Sequence, residues 1–555
     1  MKLNYKILLL IIILLAFFLR FGGINYGFTN DIFDPRAHPD EFPIFFKIIM
    51  PMDVNNDLNP HFLIHPTLYY YVVLFILKIL ITVLHLMGNY TDVQSFTSLY
   101  NIAPYFAIPV SYISGRLVSI LFSTLSVFIL FLSVKSLFKN NWLAVLASLL
   151  FAIAPYSVTD AHFATADSLS TFLFIMCFYL SSKYFIEKRA VYIIFASVFA
   201  GLSASAKYNG ILAFLFVFLA YLLSDLKNEN RFKYIFSHVF NKIFSKKTII
   251  TVSLLFILAL VTLLITSPFI ILDQTEFKKD FIQNASNLGS GHYGFDLVPD
   301  GFIYTHYIYQ LIALFPYILG IPLYIISLLG LYKFIKIEEA NKRIFLIFPT
   351  LAYLIFVGVS PVVMTRYYMD LIPFFCFFAA YFFINQKKRV FNLSNYFKTA
   401  LFIILILYTL ILTQTQNDKM FIHDARYEAI RYIAQNAEPN SIVATMGGFL
   451  TPNIQTYLLP DELENSPVFI YNLQNNSKLN VSYILIPVER YYRAKRDKNK
   501  YPVAVNFYED LSADKLGYCK VKSFQHPYFT ENIYAMLDPK FADYYTREID
   551  VYKKC

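Results

Sequence analysis

The chain has 555 residues, of which 57% are hydrophobic and only 15% are charged. Soluble globular proteins carry about 25% charged and about 45–50% apolar residues, so this composition excludes a cytosolic enzyme, a disordered protein and a disulfide scaffold. The formal net charge of +10 collects in clusters between apolar runs, which is typical of membrane topology and not of nucleic-acid binding. The composition predicts a polytopic membrane protein, with membrane lipids and no nucleic acid among its partners.

Apolar runs of close to 20 residues predict helices that span a membrane. Twelve such runs occur, at 3–24, 66–87, 109–137, 142–160, 167–186, 190–206, 209–225, 248–272, 309–335, 344–361, 367–384 and 399–415. Residues 1–415 are therefore predicted to form an α-helical membrane domain with about 11–13 transmembrane helices. Residues 416–555 lose this character and are predicted to form one soluble α/β domain.

Lysine and arginine predict the orientation of these helices, because cytoplasmic loops carry an excess of both. Six clusters between or before the runs hold 21 of them, whereas the remaining short loops hold six. The N-terminus is thus predicted in the cytoplasm and the tail outside, in a multi-pass cell-membrane protein. These two placements require an odd number of crossings. We therefore expect the run 66–87 to be re-entrant or to lie along the interface, which leaves eleven crossings. The alternative is that one of the other runs contains a further crossing that hydropathy did not separate.

The soluble tail mixes short apolar runs with polar turns. Residues 424–437 have helical periodicity, and the runs 441–445, 483–487 and 520–524 are typical of strands. Cys519 and Cys555 can form a disulfide if the tail faces an oxidising compartment.

Charged residues gather at the predicted outer face of the membrane. Asp40 and Glu41 follow the first helix, where a carboxylate can act as a general base, although both also suit a helix start. Asp167 opens a later helix, with Asp160 and His162 nearby; its alternative role is a helix cap. Because neighbouring carboxylates rarely point to the same spot, one of Asp40 and Glu41 is expected to act chemically and the other to support it.

Lys207 and Arg366 lie at the outer ends of two further helices and run against the charge bias of the other loops. Snorkelling towards lipid head groups is one explanation. The other is a bound anion, and two cations at head-group depth suit a lipid-linked phosphate. Together with the carboxylates, they predict transfer of a group from a lipid phosphate donor to a nucleophilic acceptor.

The sequence also resembles the membrane-embedded glycosyltransferases of the C superfamily (GT-C), specifically the protein O-mannosyltransferase and aminoarabinose-transferase group. The ordered motifs that carry this resemblance, within residues 1–415, are HisProAspGlu at 38–41, HisProThrLeuTyrTyrTyr at 65–71, GlyArgLeuValSer at 115–119, Asp167, SerAlaLysTyrAsnGly at 205–210 and ArgTyrTyrMetAspLeuIlePro at 366–373. The resemblance implies a GT-C fold and a polyprenyl- or dolichyl-phosphate sugar as the lipid-linked donor. It also implies an extracytoplasmic acceptor and inversion of the anomeric centre.

The resemblance further implies roles for individual residues. Asp40 is the expected catalytic base, Glu41 and Asp167 are expected to shape the acceptor site, and Lys207 and Arg366 to bind the donor phosphate. The residues expected to contact substrate are His38, His65, His162, Tyr208, Tyr367 and His292. His65 stands where some relatives carry a lysine, and His292 lies in a glycine-rich outer loop.

No cofactor is predicted, and no histidine–carboxylate set makes a convincing metal site, although the paired acids leave a divalent ion open. The competing prediction is a transporter or flippase of a lipid-linked or small polar substrate. Transporter charges lie near the middle of the bilayer, often in repeated and broken helices. Here the charges cluster at one interface, which favours the enzyme.

Overall fold

The computed structural model describes most of the membrane part and the framework of the tail. The described residues are 4–26, 28–29, 32–33, 40–88, 104–226, 232–290, 307–360, 362, 364–384, 394–418, 425–438, 441–445, 469–472, 481–488, 491, 495, 502–525 and 548–555. His38 and His292 lie outside them. The fold is predominantly helical, with a small sheet near the C-terminus, as the sequence predicts.

The membrane part is a bundle of helices. In chain order they are α1 (Tyr5–Phe21), α2 (Glu41–Pro43), α3 (Met50–Asn55), α4 (Leu68–Leu86), α5 (Pro104–Phe138), α6 (Asn141–Ala152), α7 (Pro155–Asp160), α8 (Asp167–Glu187), α9 (Ala190–Ala206), α10 (Phe214–Leu223), α11 (Phe232–Ile243), α12 (Lys246–Thr266), α13 (Phe269–Leu272), α14 (Gln274–Ser290), α15 (Phe315–Leu319), α16 (Ile321–Ile337), α17 (Ala340–Gly358), α18 (Ile372–Phe383) and α19 (Asn395–Asp418). Two π-helical turns, Ile44–Ile49 and Gln310–Leu314, and two 3₁₀ turns, Tyr208–Ala213 and Thr365–Leu371, interrupt them.

Several of these helices are long and apolar enough to cross a bilayer. Within the described residues there are six by length and composition, and seven if a bent pair counts as one span. Shorter apolar helices, α6 and α9 among them, lie between these spans. This arrangement confirms the predicted multi-pass helical membrane protein.

The predicted run 309–335 is not one straight helix. The segments Tyr307–Leu319 and Ile321–Ile337 meet at Gly320 with a bend of 116°. Gly320 has a φ of 82°, a left-handed value that favours glycine, and Pro322 follows in the first turn of α16. The bend arises because Gly320 ends one helix with a left-handed backbone conformation and Pro322 starts the next helix.

The run 66–87, predicted to be re-entrant or interfacial, forms the single 19-residue helix α4. Lys78 lies near its middle and pairs with the buried carboxylate of Asp53 on α3. Because a charged side chain at the centre of a span is costly alone, this pairing lowers the cost of placing Lys78 there. The length of α4 permits a crossing, and its placement along the interface stays a prediction.

A buried arginine joins four helices. The Arg20 guanidinium on α1 donates to Ser123 Oγ at 2.7 Å, to the Ala152 carbonyl at 2.9 Å and to Ser157 Oγ at 3.1 Å. Ala152 is the last residue of α6, whose carbonyls carry the negative end of the helix dipole. The arginine therefore caps α6 and fixes α1, α5 and α7 around that end.

The tail contains a five-stranded sheet with a helix on each face. Its elements are α20 (Ala425–Asn436), β3 (Ile442–Thr445), β4 (Phe469–Asn472), β5 (Tyr483–Pro487), α21 (Pro502–Ser512), β6 (Tyr518–Gln525) and β7 (Glu548–Lys554), while β1 (Phe28–Thr29) and β2 (Ile32–Phe33) form a separate hairpin before Asp40. The strand order is β4-β3-β5-β7-β6; β3 pairs in parallel with β4 and β5, and β7 pairs antiparallel with β5 and β6.

Alternation along β5 explains the two layers of core. Tyr483 and Leu485 pack with α20, whereas Ile484 and Ile486 pack with α21 on the other face. A disulfide joins Cys519 on β6 to Cys555, directly after β7, so the two cysteines do pair. The helix predicted at 424–437 and the strands predicted at 441–445, 483–487 and 520–524 are all confirmed.

Candidate active site

A buried ion pair fixes Glu41, the residue that directly follows Asp40. The Arg116 guanidinium on α5 contacts both carboxylate oxygens of Glu41, with Nε to Oε1 and Nη2 to Oε2 each at 2.8 Å. Its Nη1 donates to the carbonyls of Ile24 and Tyr26 at 2.7 Å, and the Ala164 amide donates to Glu41 Oε1 at 2.9 Å. Three separate segments are thereby fixed around one carboxylate.

Glu41 lies inside the protein, and its predicted role in shaping the acceptor site stays a prediction. Its side chain is completely buried, and Arg116 and Ala164 occupy the carboxylate from inside the protein. Glu41 therefore holds α5 and the segment around Ala164 next to the chain that directly follows Asp40. Asp40, directly before it, is about one third exposed and remains accessible.

Asp40 forms an ion pair with Arg366 in the 3₁₀ turn Thr365–Leu371. The pair brings together two residues that are more than 300 positions apart in the sequence. The guanidinium carbon of Arg366 lies 5.9 Å from the centre of the Tyr367 ring. The predicted base and one predicted phosphate ligand are therefore neighbours.

A second carboxylate–cation pair also lies beside Tyr367. Lys207 Nζ donates to Asp167 Oδ1 at 2.5 Å, and it lies 5.2 Å from the centre of the same ring. Asp167 is at the first position of α8, and Lys207 follows the last residue of α9. The ring of Tyr367 therefore contacts both cations, and the structure gathers Asp40, Asp167, Lys207, Arg366 and Tyr367 into one site.

His65 and Tyr208 lie at the edge of this group. His65 is close enough to Lys207 and Asp167 to feel both charges; burial and then Lys207 lower the pKa of its imidazole to about 4. The Tyr208 hydroxyl donates to the Leu63 carbonyl at 2.9 Å, which ties the chain before His65 to the turn after Lys207. His65 is thus a neutral neighbour of the cations near pH 7.

His162 is placed differently from its prediction as a substrate contact. The ring is completely buried, with Nδ1 2.8 Å from the Val158 carbonyl and Nε2 2.6 Å from the Gly22 carbonyl. Both ring nitrogens are thus directed at backbone inside the protein. His162 links the turn before α8 to the end of α1, and its predicted contact with substrate stays a prediction.

A polar network behind Tyr367 was not anticipated from the sequence. Asp370 accepts hydrogen bonds from Thr171 Oγ1 at 2.7 Å and from Tyr353 Oη at 3.0 Å. Tyr353 Oη also lies 3.0 Å from the Tyr367 carbonyl and accepts from Asn209 Nδ2 at 2.6 Å. Asp370 lies within the motif at 366–373, but the sequence analysis gave it no role of its own.

The described residues contain no group of three or more histidine, cysteine, aspartate or glutamate side chains arranged to hold a metal ion. The cations Lys207 and Arg366 instead make the site suited to an anion. Phosphate is the anion whose several oxygens can engage both an ammonium and a guanidinium group.

Solved structures with a related arrangement have low sequence identity. The archaeal oligosaccharyltransferase AglB from Archaeoglobus fulgidus, in complex with an inhibitory peptide and a dolichol-phosphate, is 13% identical and matches over 90% of this chain and 72% of its own, with a TM-score of 0.48. ArnT from Cupriavidus metallidurans, bound to undecaprenyl phosphate, is 11% identical and matches over 99% and 98%, with a TM-score of 0.47. These values support no assignment of substrate or mechanism.

Sequence comparison is more specific. No curated protein matches the chain. Residues 97–272, however, match the family model described as dolichyl-phosphate-mannose-protein mannosyltransferase. This segment contains Arg116, Asp167 and Lys207, so it supplies one cation–carboxylate pair of the site and the arginine that holds Glu41. Over residues 97–272, the chain is accordingly similar to the membrane mannosyltransferases that this family model describes.

Proposed function

We propose that the chain transfers one sugar from a polyprenyl- or dolichyl-phosphate carrier to an extracytoplasmic protein, lipid or glycan, with inversion at the anomeric carbon. The observation that carries this proposal is the pair of carboxylate–cation contacts, Asp40 with Arg366 and Asp167 with Lys207, which both lie beside the ring of Tyr367. One carboxylate serves the acceptor, and the two cations serve the donor.

The donor phosphate binds between Lys207 and Arg366. A guanidinium can engage two phosphate oxygens at once, and an ammonium contributes a compact charge beside it. The description of the matching family names a dolichyl-phosphate sugar, which supports a lipid phosphate as the carrier. The aromatic face of Tyr367, beside both cations, offers a surface for the sugar.

The acceptor is activated by Asp40. Its carboxylate takes the proton from an acceptor hydroxyl while the hydroxyl oxygen attacks the anomeric carbon from the face opposite the phosphate. The bond between that carbon and the phosphate oxygen breaks, and its electrons remain on the lipid phosphate. Lys207 and Arg366 stabilise the negative charge that develops on this leaving group.

The neighbouring residues keep these groups in position. Asp167 orients the Lys207 ammonium, and the Glu41–Arg116 pair fixes the segment that begins with Asp40. His65, neutral near pH 7, adds no charge beside the phosphate. The charge bias of the loops predicts that this face lies outside the cytoplasm, together with the C-terminal domain.

The test is sugar transfer by the full chain reconstituted in vesicles. Radiolabelled polyprenyl- and dolichyl-phosphate sugars are supplied with peptide, glycolipid and oligosaccharide acceptors. Asp40→Asn keeps the size of the side chain and removes the base, so we expect transfer to fall by about 10²–10⁴-fold. Asp57→Asn is the matched control, because Asp57 is an exposed carboxylate that contacts His61 and lies outside the site.

Each outcome has a definite meaning. Transfer by the wild type and by Asp57→Asn, with loss in Asp40→Asn, supports the proposal. Equal turnover in Asp40→Asn and wild type would remove Asp40 from the mechanism. No transfer with any donor, together with movement of a lipid-linked sugar across the vesicle membrane, would favour a flippase.

A further inference from the structure

The 3₁₀ turn Thr365–Leu371 carries Arg366 and Tyr367 into the site, and a buried polar network holds this turn from behind. Asp370 belongs to the same turn and is 3% exposed. Tyr353, its partner on α17, is 1% exposed. The network therefore lies inside the protein, and it contacts the turn that carries Arg366 and Tyr367 without including either side chain.

The network joins this turn to both other elements of the site. Thr171, which donates to Asp370, is one helical turn after Asp167 on α8, so the two side chains share a face of that helix. Asn209, which donates to Tyr353, is two residues after Lys207. Tyr353 in turn reaches both Asp370 and the backbone carbonyl of Tyr367.

Holding a turn in place with a buried carboxylate costs desolvation free energy. Burying an unpaired charge costs several kcal/mol, and well-packed apolar side chains often give equal or greater stability. What a hydrogen-bonded carboxylate adds is direction, because its two oxygens require donors at defined positions. Asp370 receives one donor from α8 and one from α17, which fixes the turn relative to both helices.

We propose that Asp370 and Tyr353 are positioning residues for the donor: they set the separation between Lys207 and Arg366 beside the Tyr367 ring, and so the place of the lipid phosphate. This inference rests on the proposed function, since it assigns the two cations to the donor. A phosphate held by two cations is sensitive to their spacing, and a misplacement of about 1 Å can cost about 10²-fold in rate.

The experiment compares variants that differ by one hydroxyl. Thr171→Val keeps the branched shape and removes the donor to Asp370, whereas Thr171→Ser keeps the hydroxyl. Tyr353→Phe removes the other donor. The matched control is Tyr381→Phe, because Tyr381 is also completely buried and donates to a carboxylate, Glu338 Oε1 at 2.7 Å. Tyr381 lies near the far end of α18 from the site.

Three quantities are measured for each full-length variant in vesicles or micelles. They are the dissociation constant for radiolabelled undecaprenyl phosphate and dolichyl phosphate, the KM for donor and for acceptor together with kcat, and the melting temperature. We expect Thr171→Val and Tyr353→Phe to weaken lipid phosphate binding and raise the donor KM by about 10- to 100-fold, the range for hydrogen bonds to a charged group. The acceptor KM of these two variants should stay at the wild-type level. Thr171→Ser and Tyr381→Phe should keep the wild-type donor KM and the wild-type affinity for lipid phosphate.

The other outcomes overturn the inference in distinguishable ways. Wild-type donor KM and lipid phosphate affinity in both Thr171→Val and Tyr353→Phe would show that the network does not position the cations. Losses that follow melting temperature in every variant, Tyr381→Phe included, would show a purely structural role. If the wild type itself neither binds a polyprenyl phosphate nor transfers sugar from one, the proposed function fails first, and this inference fails with it.

Discussion

Arg116 shows how one side chain organises the surroundings of the proposed base. Two of its nitrogens hold Glu41 and the third holds the carbonyls of Ile24 and Tyr26, so the donors of the guanidinium are directed at partners inside the protein. The segment that follows α1 and the segment that begins after Asp40 are thereby fastened to α5. Removing one partner leaves the other charge buried without compensation.

We therefore expect Glu41→Gln to lower the free energy of unfolding by about 3–5 kcal/mol, as when one member of a buried ion pair is removed. The measurement is denaturant titration in mixed micelles. Glu187→Gln is the control: Glu187 pairs with Lys183 near the surface, and such pairs contribute about 0–1 kcal/mol. Equal small effects in both variants would contradict the structural role of Glu41.

His65 provides a prediction about pH. An ordinary histidine titrates near pH 6.5, but burial and the charge of Lys207 lower the pKa of His65 to about 4. Its imidazole is therefore neutral throughout the range from pH 5.5 to 8. We expect His65→Gln to keep the shape of the pH–rate profile in this range, measured as kcat/KM for the donor. A limb near pH 6.5 that disappears in His65→Gln would disprove this.

Among the helices, close approach depends on particular small residues. A Cβ atom at Gly330 on α16 would lie 1.8 Å from the carbonyl oxygen of Phe378 on α18. This contact is with backbone, so it cannot be relieved by turning a side chain. Small residues that let backbones approach are a common basis of helix packing in membranes.

Gly330→Ala should thus separate α16 from α18 and lower the free energy of unfolding by about 1–3 kcal/mol, the usual range for overpacking. Gly289, within α14, is the matched control because a Cβ there meets no atom within 4 Å. We expect Gly289→Ala to be neutral or to stabilise slightly, since alanine favours helix more than glycine does. Denaturant titration of both variants decides the matter, and equal stability would show that the helices adjust freely.

The elements themselves were largely predictable. Long apolar runs predict helices such as α4 and α9, and a short apolar run between polar turns predicts β5, because both patterns are local. The bend at Gly320 had a local signal, a glycine followed by Pro322, but hydropathy alone did not separate the two segments. The strand β7 was missed because its apolar residues become meaningful only when they face α20 and α21 across the sheet.

The site was predictable in composition and not in pairing. Asp40, Asp167, Lys207 and Arg366 stood out because charges beside membrane helices are costly, and the two cations also opposed the lysine and arginine bias of the loops. Which cation meets which carboxylate depends on contacts between distant segments, as between Asp40 and Arg366. Asp370 was overlooked for the same reason, since its donors come from helices that are remote in sequence.

For the molecule as a whole, the Asp40–Arg366 contact has a consequence for the sequence of events in one turnover. Before any lipid phosphate arrives, the proposed base is neutralised by a cation that the donor itself needs. A carboxylate engaged by a guanidinium is a poor proton acceptor. We expect arrival of the phosphate to draw Arg366 towards the donor, which frees the carboxylate and opens the space beside it, so that the acceptor binds only after the donor is in place.

Such a protein should follow a compulsory order of addition, with the carrier lipid first. The kinetic test uses an acceptor whose reacting hydroxyl is replaced by hydrogen and which therefore binds without reacting. Against varied donor, we expect this analogue to inhibit uncompetitively, because it can bind only the complex that already holds the donor. Noncompetitive inhibition would mean that either substrate can enter first. An ordered entry also keeps the base unavailable to water and stray hydroxyls until a sugar is present to receive the attack.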